Sequence, residues 1–299
     1  MMKSNMAKQK TILVTGGAGF IGSHLCERLV ADENNRVISL DNYFTGSEDN
    51  HIDGVEYIKG DTKDIEKLIT EVPDIIYHLG EYSRVAKSLE EPGLVWDLNM
   101  VGTLAVLEFW RKTECKLVYA GSSTKFTEAR ADGVEGRNLA PYTWSKAAIS
   151  ELVSNYGRWY NLPYVIVYFY NVYGAREITG KYGALIGIFK QSYLEGKPFK
   201  VRSPGTQMRS FTHVDDTVEG IILAAEKGQK DGYGIGAEDS YSILDVVNMF
   251  GGEIEMLPAT KSTRSSTAVD SVRIEALGWK PTKTLKDYIA QFVAENPQR

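Results

Sequence analysis

Tyr142 and Lys146 stand four residues apart in "APYTWSKAA". On a helix that spacing puts both side chains on one face. A free phenol has a pKa of about 10, so a tyrosine acting as a base near neutrality needs it lowered by about 3 units, roughly 4 kcal/mol. A neighbouring ammonium supplies that attraction for the phenolate. The same two residues also describe an ordinary amphipathic helix, with a buried aromatic and a lysine snorkelling to water. Taken alone, the pair favours this plainer reading. A second stretch, "LVYAGSSTKFTEA" at 117–129, starts as a strand and ends in three consecutive hydroxyls, Ser122, Ser123 and Thr124, then Lys125. No carboxylate follows until Glu128. Such a strand end offers hydroxyl donors but no side-chain acid.

The company these residues keep decides between the readings. "TILVTGGAGFIGSHLCERLV" places Gly16, Gly19 and Gly22 between a predicted strand and a predicted helix. The first glycine permits a tight turn and the second lets the backbone approach a pyrophosphate at the positive helix N-terminus; the third allows close helix–strand packing. "VISLDNY" delivers Asp41 at the end of the next strand, placed to bond ribose hydroxyls and to repel a 2′-phosphate. NAD is therefore expected over NADP. Phe20, Ile21, Asn42, Leu79 and Gly80 complete the expected cofactor contacts. Asp61, in "IKGDTKD", either reaches the adenine or caps a helix.

The elements that must position these groups alternate along the first half of the chain. Apolar runs at 11–15, 36–40, 55–58, 74–79, 116–120 and 164–170 are separated mostly by helix-length amphipathic stretches, such as 20–31, 93–112 and 142–160. That alternation predicts an α/β fold, a doubly wound parallel sheet covered on both faces. After about residue 174 the rhythm loosens, with glycine or proline at 180, 183, 196, 198, 204 and 205; helical patterns return at 214–227, 242–250 and 284–294. The expected division is a dinucleotide-binding domain at 1–174, with 208–236 returning to it. Residues 175–207 and 237–299 then form a smaller, interleaved substrate-binding part.

The chain has 299 residues, 43% hydrophobic and 24% charged, an ordinary globular mixture with ample core. A net charge of −5 argues against a polyanion-binding surface, so neither nucleic acid nor an acidic membrane is an expected partner. Cys26 and Cys115 give no metal spacing and read as reduced, buried thiols. With no signal-peptide pattern and no apolar run of spanning length, a cytoplasmic protein is expected.

Together the motifs resemble the extended short-chain dehydrogenase/reductase family, and within it the nucleotide-sugar epimerases and dehydratases. The resemblance rests on "TGGAGFIG", "DNYFTG", "HLGEYSRV" at 78–85, "NMVGT" at 99–103, "YTWSK", "YNVYG" at 170–174, "RSFTHVDD" at 209–216 and "LGWKP" at 277–281, and spans nearly the whole chain. It implies a Rossmann domain, tightly held NAD, a nucleoside-diphosphate sugar and a Ser/Thr-Tyr-Lys triad. Tyr142 is then the base and Lys146 its partner. Ser122 matches the catalytic hydroxyl, with Thr124 the runner-up because Lys125-Phe126-Thr127 departs from the family's Val-Tyr-Gly.

The family's 4,6-dehydratases carry an Asp-Glu pair directly after the catalytic hydroxyl, and its decarboxylases place a carboxylate nearby. Ser123 and Thr124 stand at those positions here. What remains suffices for 4-epimerisation by transient oxidation at C4. The alternatives are a dehydratase or 4-oxidase of the same family and a non-catalytic NAD-bound sensor.

The resemblance also implies substrate contacts from Ser83, Asn171, Arg209 and Arg264. A small gate residue at Thr267 implies room for a 2-acetamido group, so UDP-N-acetylglucosamine and UDP-N-acetylgalactosamine are expected substrates beside UDP-glucose and UDP-galactose. Glu81 stands where relatives usually have a small residue, and is expected near the nicotinamide or the diphosphate, either pairing with Lys125 across one wall of the site or leaving it solvated, or else pointing at the sugar as an acid. His78 and His213 are expected to be structural, and Met249 and Phe250 to lie in the core. Large apolar residues on 93–112 and 142–160 (Leu94, Trp96, Leu98, Leu107, Trp110, Leu152, Val153, Trp159) suggest a homodimer paired through a four-helix bundle.

Overall fold

The computed structural model describes residues 9–126, 133–259 and 268–298. Strands β1 (Lys10–Thr15), β2 (Asn35–Asp41), β3 (Glu56–Lys59), β4 (Ile75–His78), β5 (Lys116–Ser122) and β6 (Tyr164–Phe169) build one parallel sheet. A seventh strand, Lys230–Ile235, joins it beyond β6. The order is seventh–β6–β5–β4–β1–β2–β3. The strands are short apolar runs, and their alternate residues feed two separate cores. Ile12, Val14, Val37, Ile75, Val118 and Val167 pack with Leu25 and with Val218 and Ile221 on one face. Leu13, Ile38, Ile76, Leu117, Tyr119 and Ile166 pack with Leu107, Trp110, Ile149 and Val153 on the other. The fold is thus the Rossmann-like α/β arrangement expected.

Helix α1 (Phe20–Val30) follows β1 directly. The helix Pro141–Trp159 crosses from β5 to β6 and opens with proline at its first position, where a missing amide costs nothing. The predicted helix at 93–112 is continuous but not uniform. Pro92–Val95 and Gly102–Thr113 are α-helical, and Trp96–Val101 is a π-helical turn. The extra residue per turn changes which side chains face inward. Leu98, Leu107 and Trp110 are buried, as is Val153, and Trp110 donates to the Cys115 carbonyl at 2.8 Å. These residues belong to the core and cannot form an outer face; Trp96 and Trp159 remain exposed, at 54% and 59%.

The C-terminal elements form a third core around Phe189, Phe199, Phe211, Ile243 and Phe250, with Met249 packed at its margin. Small ribbons tie it together: Phe199–Arg202 with Ile254–Leu257, and Met208–Ser210 with Ser240–Ser242. The helix Leu185–Leu194 lies in the stretch where glycines obscured any periodicity. Among the described residues no helix is long and apolar enough to cross a membrane.

One buried side chain fastens the C-terminal part to the sheet. Asp216, in the helix Val214–Lys227, accepts from the amides of Thr282 and Lys283 at 3.1 Å each and from the Thr282 hydroxyl at 2.7 Å. Its backbone carbonyl receives the Trp279 indole N–H at 2.8 Å. Removing the buried carboxylate takes the partner from two amides on the exposed segment Thr282–Lys283, in part-buried bonds. Asp216→Ala is expected to lower unfolding stability by about 1–3 kcal/mol, and Asp216→Asn by less, as measured by urea titration; a loss below about 0.5 kcal/mol would contradict this role.

Candidate active site

The sheet changes winding direction between β1 and β4, and a crevice opens at their carboxyl ends, where ligands of such sheets bind. The backbone closes tightly there. Gly16 has φ +75°, and a Cβ on it would lie 2.8 Å from the Gly80 Cα. A Cβ on Gly22 would lie 2.0 Å from the Gly16 carbonyl oxygen. Gly19, by contrast, faces open space except for that same oxygen at 3.1 Å. It forms the N-cap of α1 with no side-chain cap, so the amides of Phe20, Ile21 and Gly22 are left for a ligand. This uncapped, glycine-lined N-terminus fits a dinucleotide pyrophosphate.

A cavity of about 490 Å³ runs from this turn. Gly16, Gly19, Phe20, Ile21, Gly22, Asp41, Asn42, Leu79, Gly80, Ser83, Ser122, Thr124, Tyr142, Lys146, Asn171 and Arg209 all line it. Asp41 is buried and accepts from the Ala18 and Tyr43 amides at 2.9 and 2.8 Å. Burial still pushes its carboxyl above the ordinary value. Asp61 is not in the cavity lining; it caps the short helical turn Thr62–Asp64, accepting from the Lys63 amide at 3.0 Å and from the Asn42 amide group at 3.2 Å. The cap is the role its bonds show, while its neighbours Gly60 and Thr62 line the cavity.

β5 brings Ser122 to the cavity, where its hydroxyl bonds that of Thr124 at 2.9 Å; the Thr124 amide donates to Ser122 at 3.3 Å. The helix Pro141–Trp159 presents Tyr142 and Lys146 beside them, both buried. Asn171, at φ +36°, donates to the Ser210 carbonyl at 2.8 Å. Arg209 donates to the Met208 carbonyl at 2.7 Å. Arg264 and Thr267 lie outside the described residues.

Two expectations are corrected. Glu81 does not pair with Lys125. It is buried against Lys146, to which it is hydrogen-bonded in an ion pair with 2% and 6% of the two side chains exposed. Nor is Lys125 solvated: it reaches Asp231 at 3.2 Å and the Tyr168 hydroxyl at 3.1 Å, against the seventh strand. The histidines are structural, as expected. His78 is fully buried between the hydroxyls of Thr15 and Thr103 at 2.7 and 2.9 Å, and burial lowers its pKa to about 4. His213 caps its helix by accepting from the Asp215 amide at 3.1 Å. Cys26 and Cys115 are free and buried, with thiols pushed to about 12 and about 11 by desolvation.

Sequence reasoning missed two charged groups in the cavity wall, Arg84 and Glu177. Arg84 bonds the Ser83 carbonyl and hydroxyl at 3.0 and 2.9 Å and the Tyr182 carbonyl. Both carboxyl oxygens of Glu177 are buried and lack a hydrogen-bond partner. Burial raises its pKa to about 7; the Gly174 and Gly187 amides lie near enough to soften that rise, though neither meets hydrogen-bond geometry.

The comparisons agree with this geometry. The profile of the NAD-dependent epimerase/dehydratase family matches residues 12–236. A UDP-glucuronic acid decarboxylase of Arabidopsis thaliana is 31% identical, over 92% of this chain and 85% of its own. A UDP-glucose 4-epimerase of Mycolicibacterium smegmatis is 30% identical, over 94% and 96%. The crystal structure of Thermus thermophilus UDP-glucose 4-epimerase in complex with NAD superposes with a TM-score of 0.83 at 28% identity, over 95% and 98% of the two chains. The chain belongs to the NAD-dependent epimerase/dehydratase family, and its cofactor is NAD.

Glu177 gives the site a pH signature. Its folded-state pKa is raised, so its unfavourable burial is absent below the ordinary 4.5 and grows as pH rises through about 7. Glu177→Gln is expected to be more stable than wild type at pH 8.5, by on the order of 3 kcal/mol, with the gain vanishing near pH 4.5. Thermal melts across pH check this, and an equal gain at both ends would contradict it.

Proposed function

We propose that this enzyme interconverts C4 epimers of a nucleoside-diphosphate sugar, with UDP-glucose/UDP-galactose and their N-acetylamino forms as the substrate class. The observation that carries the reading is the grouping of Tyr142, Lys146, Ser122 and Thr124 in the cavity that continues from the glycine turn, with hydroxyls where an acid pair would be needed for dehydration. The residues that would hold NAD are Gly16, Gly19, Phe20, Ile21, Gly22, Asp41, Asn42, Leu79, Gly80 and Lys146. When bound, NAD supplies a hydride acceptor that can return the hydride. Tyr142 takes the proton from the C4 hydroxyl, and the Lys146 ammonium stabilises the phenolate. Ser122, backed by Thr124, donates to the developing C4 oxygen. The 4-keto sugar turns over, and Tyr142 returns the proton as the opposite face is reduced. Asn171 and Arg209 hold the diphosphate, the latter through its guanidinium fork.

A second reading rests on Glu177, a buried carboxyl in the same cavity wall that can exchange a proton near neutrality. With it the site could run a dehydration, leaving a 4-keto product. Incubation with a panel of nucleotide sugars, followed by NMR of the products, separates the two. The epimerase reading expects both C4 epimers at equilibrium with no net 4-keto sugar, and this outcome preserved in Glu177→Gln. Tyr142→Phe is expected to lower kcat by at least about 100-fold with NAD content unchanged. Activity within about tenfold of wild type would mean another base operates.

The exposed apolar residues of the two outer helices, Trp96, Val101, Leu104, Trp144, Trp159 and Tyr160, with Trp96 stacked on Trp144 at 5.9 Å, support a homodimer through that face. Light scattering at micromolar concentration is expected to give twice the 33.3 kDa chain mass; a monomer would overturn it. Two buried, free thiols suit the reducing cytoplasm as its compartment.

A further inference from the structure

Glu81 lies in the loop directly after β4, at the floor of the cavity. Both of its oxygens have partners. Oε1 accepts from the Thr103 hydroxyl at 2.9 Å and from the Tyr119 hydroxyl at 3.2 Å, and Oε2 takes the Lys146 ammonium. Lys146 also donates to the Ala120 carbonyl, and its ammonium sits 4.5 Å from the Tyr119 ring centroid. Two of the three ammonium protons are thus fixed by groups beneath the cavity, leaving one for a ligand.

The carboxylate is itself held by a directional chain. The Glu81 carboxylate can only accept, so the Thr103 proton goes to it, His78 donates to Thr103 through Nε2–H, and neutral His78 accepts at Nδ1 from the Thr15 hydroxyl, whose oxygen also takes the Gly80 amide at 3.0 Å. One tautomer satisfies every member, with His78 neutral. The chain starts at Gly80, the residue that faces Gly16 in the nucleotide turn.

We propose that Glu81 is a positioning residue for the reaction: it fixes the Lys146 ammonium and, as its buried counter-charge, sets the pH above which Tyr142 acts as base. The proposal rests on the reading of Tyr142 as that base. The charged and titratable groups around the Tyr142–Lys146 pair are Glu81, Tyr82 and Arg84 of the loop after β4, His78 of β4, Tyr119 of β5, Tyr182 packed beside Tyr82, and Glu177, which acts on Arg84 across the cavity wall. His78 is neutral near pH 7, and burial holds Tyr119 protonated, its pKa raised well above the usual phenol. Of the charged groups only Glu81 touches the ammonium, and because Glu177 titrates at about 7 in the same wall, the pH profiles are read in the Glu177→Gln background. A carboxylate there opposes the pull of Lys146 on the phenolate. The site gives up some base strength and gains a lysine whose ammonium is placed before any ligand arrives.

The test uses the NAD-loaded enzyme and two variants. In Glu81→Gln the acidic limb of the kcat profile is expected to move down by about 0.5–1 pH unit. In Glu81→Asp, which keeps the charge but shortens the anchor, the limb is expected to stay in place while kcat falls about tenfold with KM little changed. A Gln profile that overlays or lies above wild type overturns the counter-charge, and an Asp variant with wild-type kcat overturns the anchoring. If Glu81→Gln fails to fold, the Asp variant alone decides the anchoring. Phenolate absorbance read as wild type minus Tyr142→Phe, and again in each Glu81 background, needs no turnover. It should show the same downward displacement in Glu81→Gln, and its absence counts against the proposal whatever the product. An unexpected product with the displacement intact counts only against the epimerase reading.

Discussion

Two backbone segments approach within van der Waals contact at the carboxyl ends of β1 and β4, and only Gly16 facing Gly80 permits it. The rest of the site depends on that contact. It brings the glycine turn, which presents the uncapped end of α1, against the loop that carries Glu81, Ser83 and Arg84. A side chain at either position would wedge the crevice open, separating the cofactor end of the cavity from the end that holds Tyr142. The sheet order makes the crevice, since helices leave opposite faces on either side of it. The glycines make it narrow.

Around this contact the protein buries a cluster of polar groups. Thr15, His78, Thr103, Glu81, Tyr119 and Lys146 form one connected hydrogen-bonded set in which only the Lys146 ammonium keeps a proton for a ligand. Such a set is rigid because breaking any one bond strands a buried donor or acceptor. Glu177 is the contrast. It lies in the same cavity wall, but its oxygens have no partners, so it is the carboxyl whose charge state can answer to pH or to a ligand.

How much of this was legible in the sequence follows from the range of each interaction. The glycine triplet, Asp41 and the Tyr142/Lys146 pair are local patterns, and their physics is contained in about twenty neighbouring residues. The pairing of Glu81 with Lys146 spans 65 positions and that of Lys125 with Asp231 spans 106, so no local signal could assign them. The strand Lys230–Ile235 begins with charged residues and carries two glycines, one at φ +101°, which hid it from strand patterning. The tryptophans taught a different lesson. Trp96 and Trp110 lie on one helical run and were read as one surface, but one is exposed and the other enclosed, with a π-helical turn at Trp96–Val101 between the regular segments. Glu177 follows the "YNVYG" motif by three residues and looks like any loop acid until its burial is known.

Epimerisation as proposed needs one base and one retained hydride for the whole cycle, with no acid to expel a group. A substrate sugar carrying deuterium at C4 tests it most directly. Mass spectrometry of the purified enzyme's products should find the label still at C4 of the other epimer, with none in solvent and no reduced cofactor accumulating. Label lost from C4, found at another carbon of the sugar or released in free reduced cofactor would contradict it.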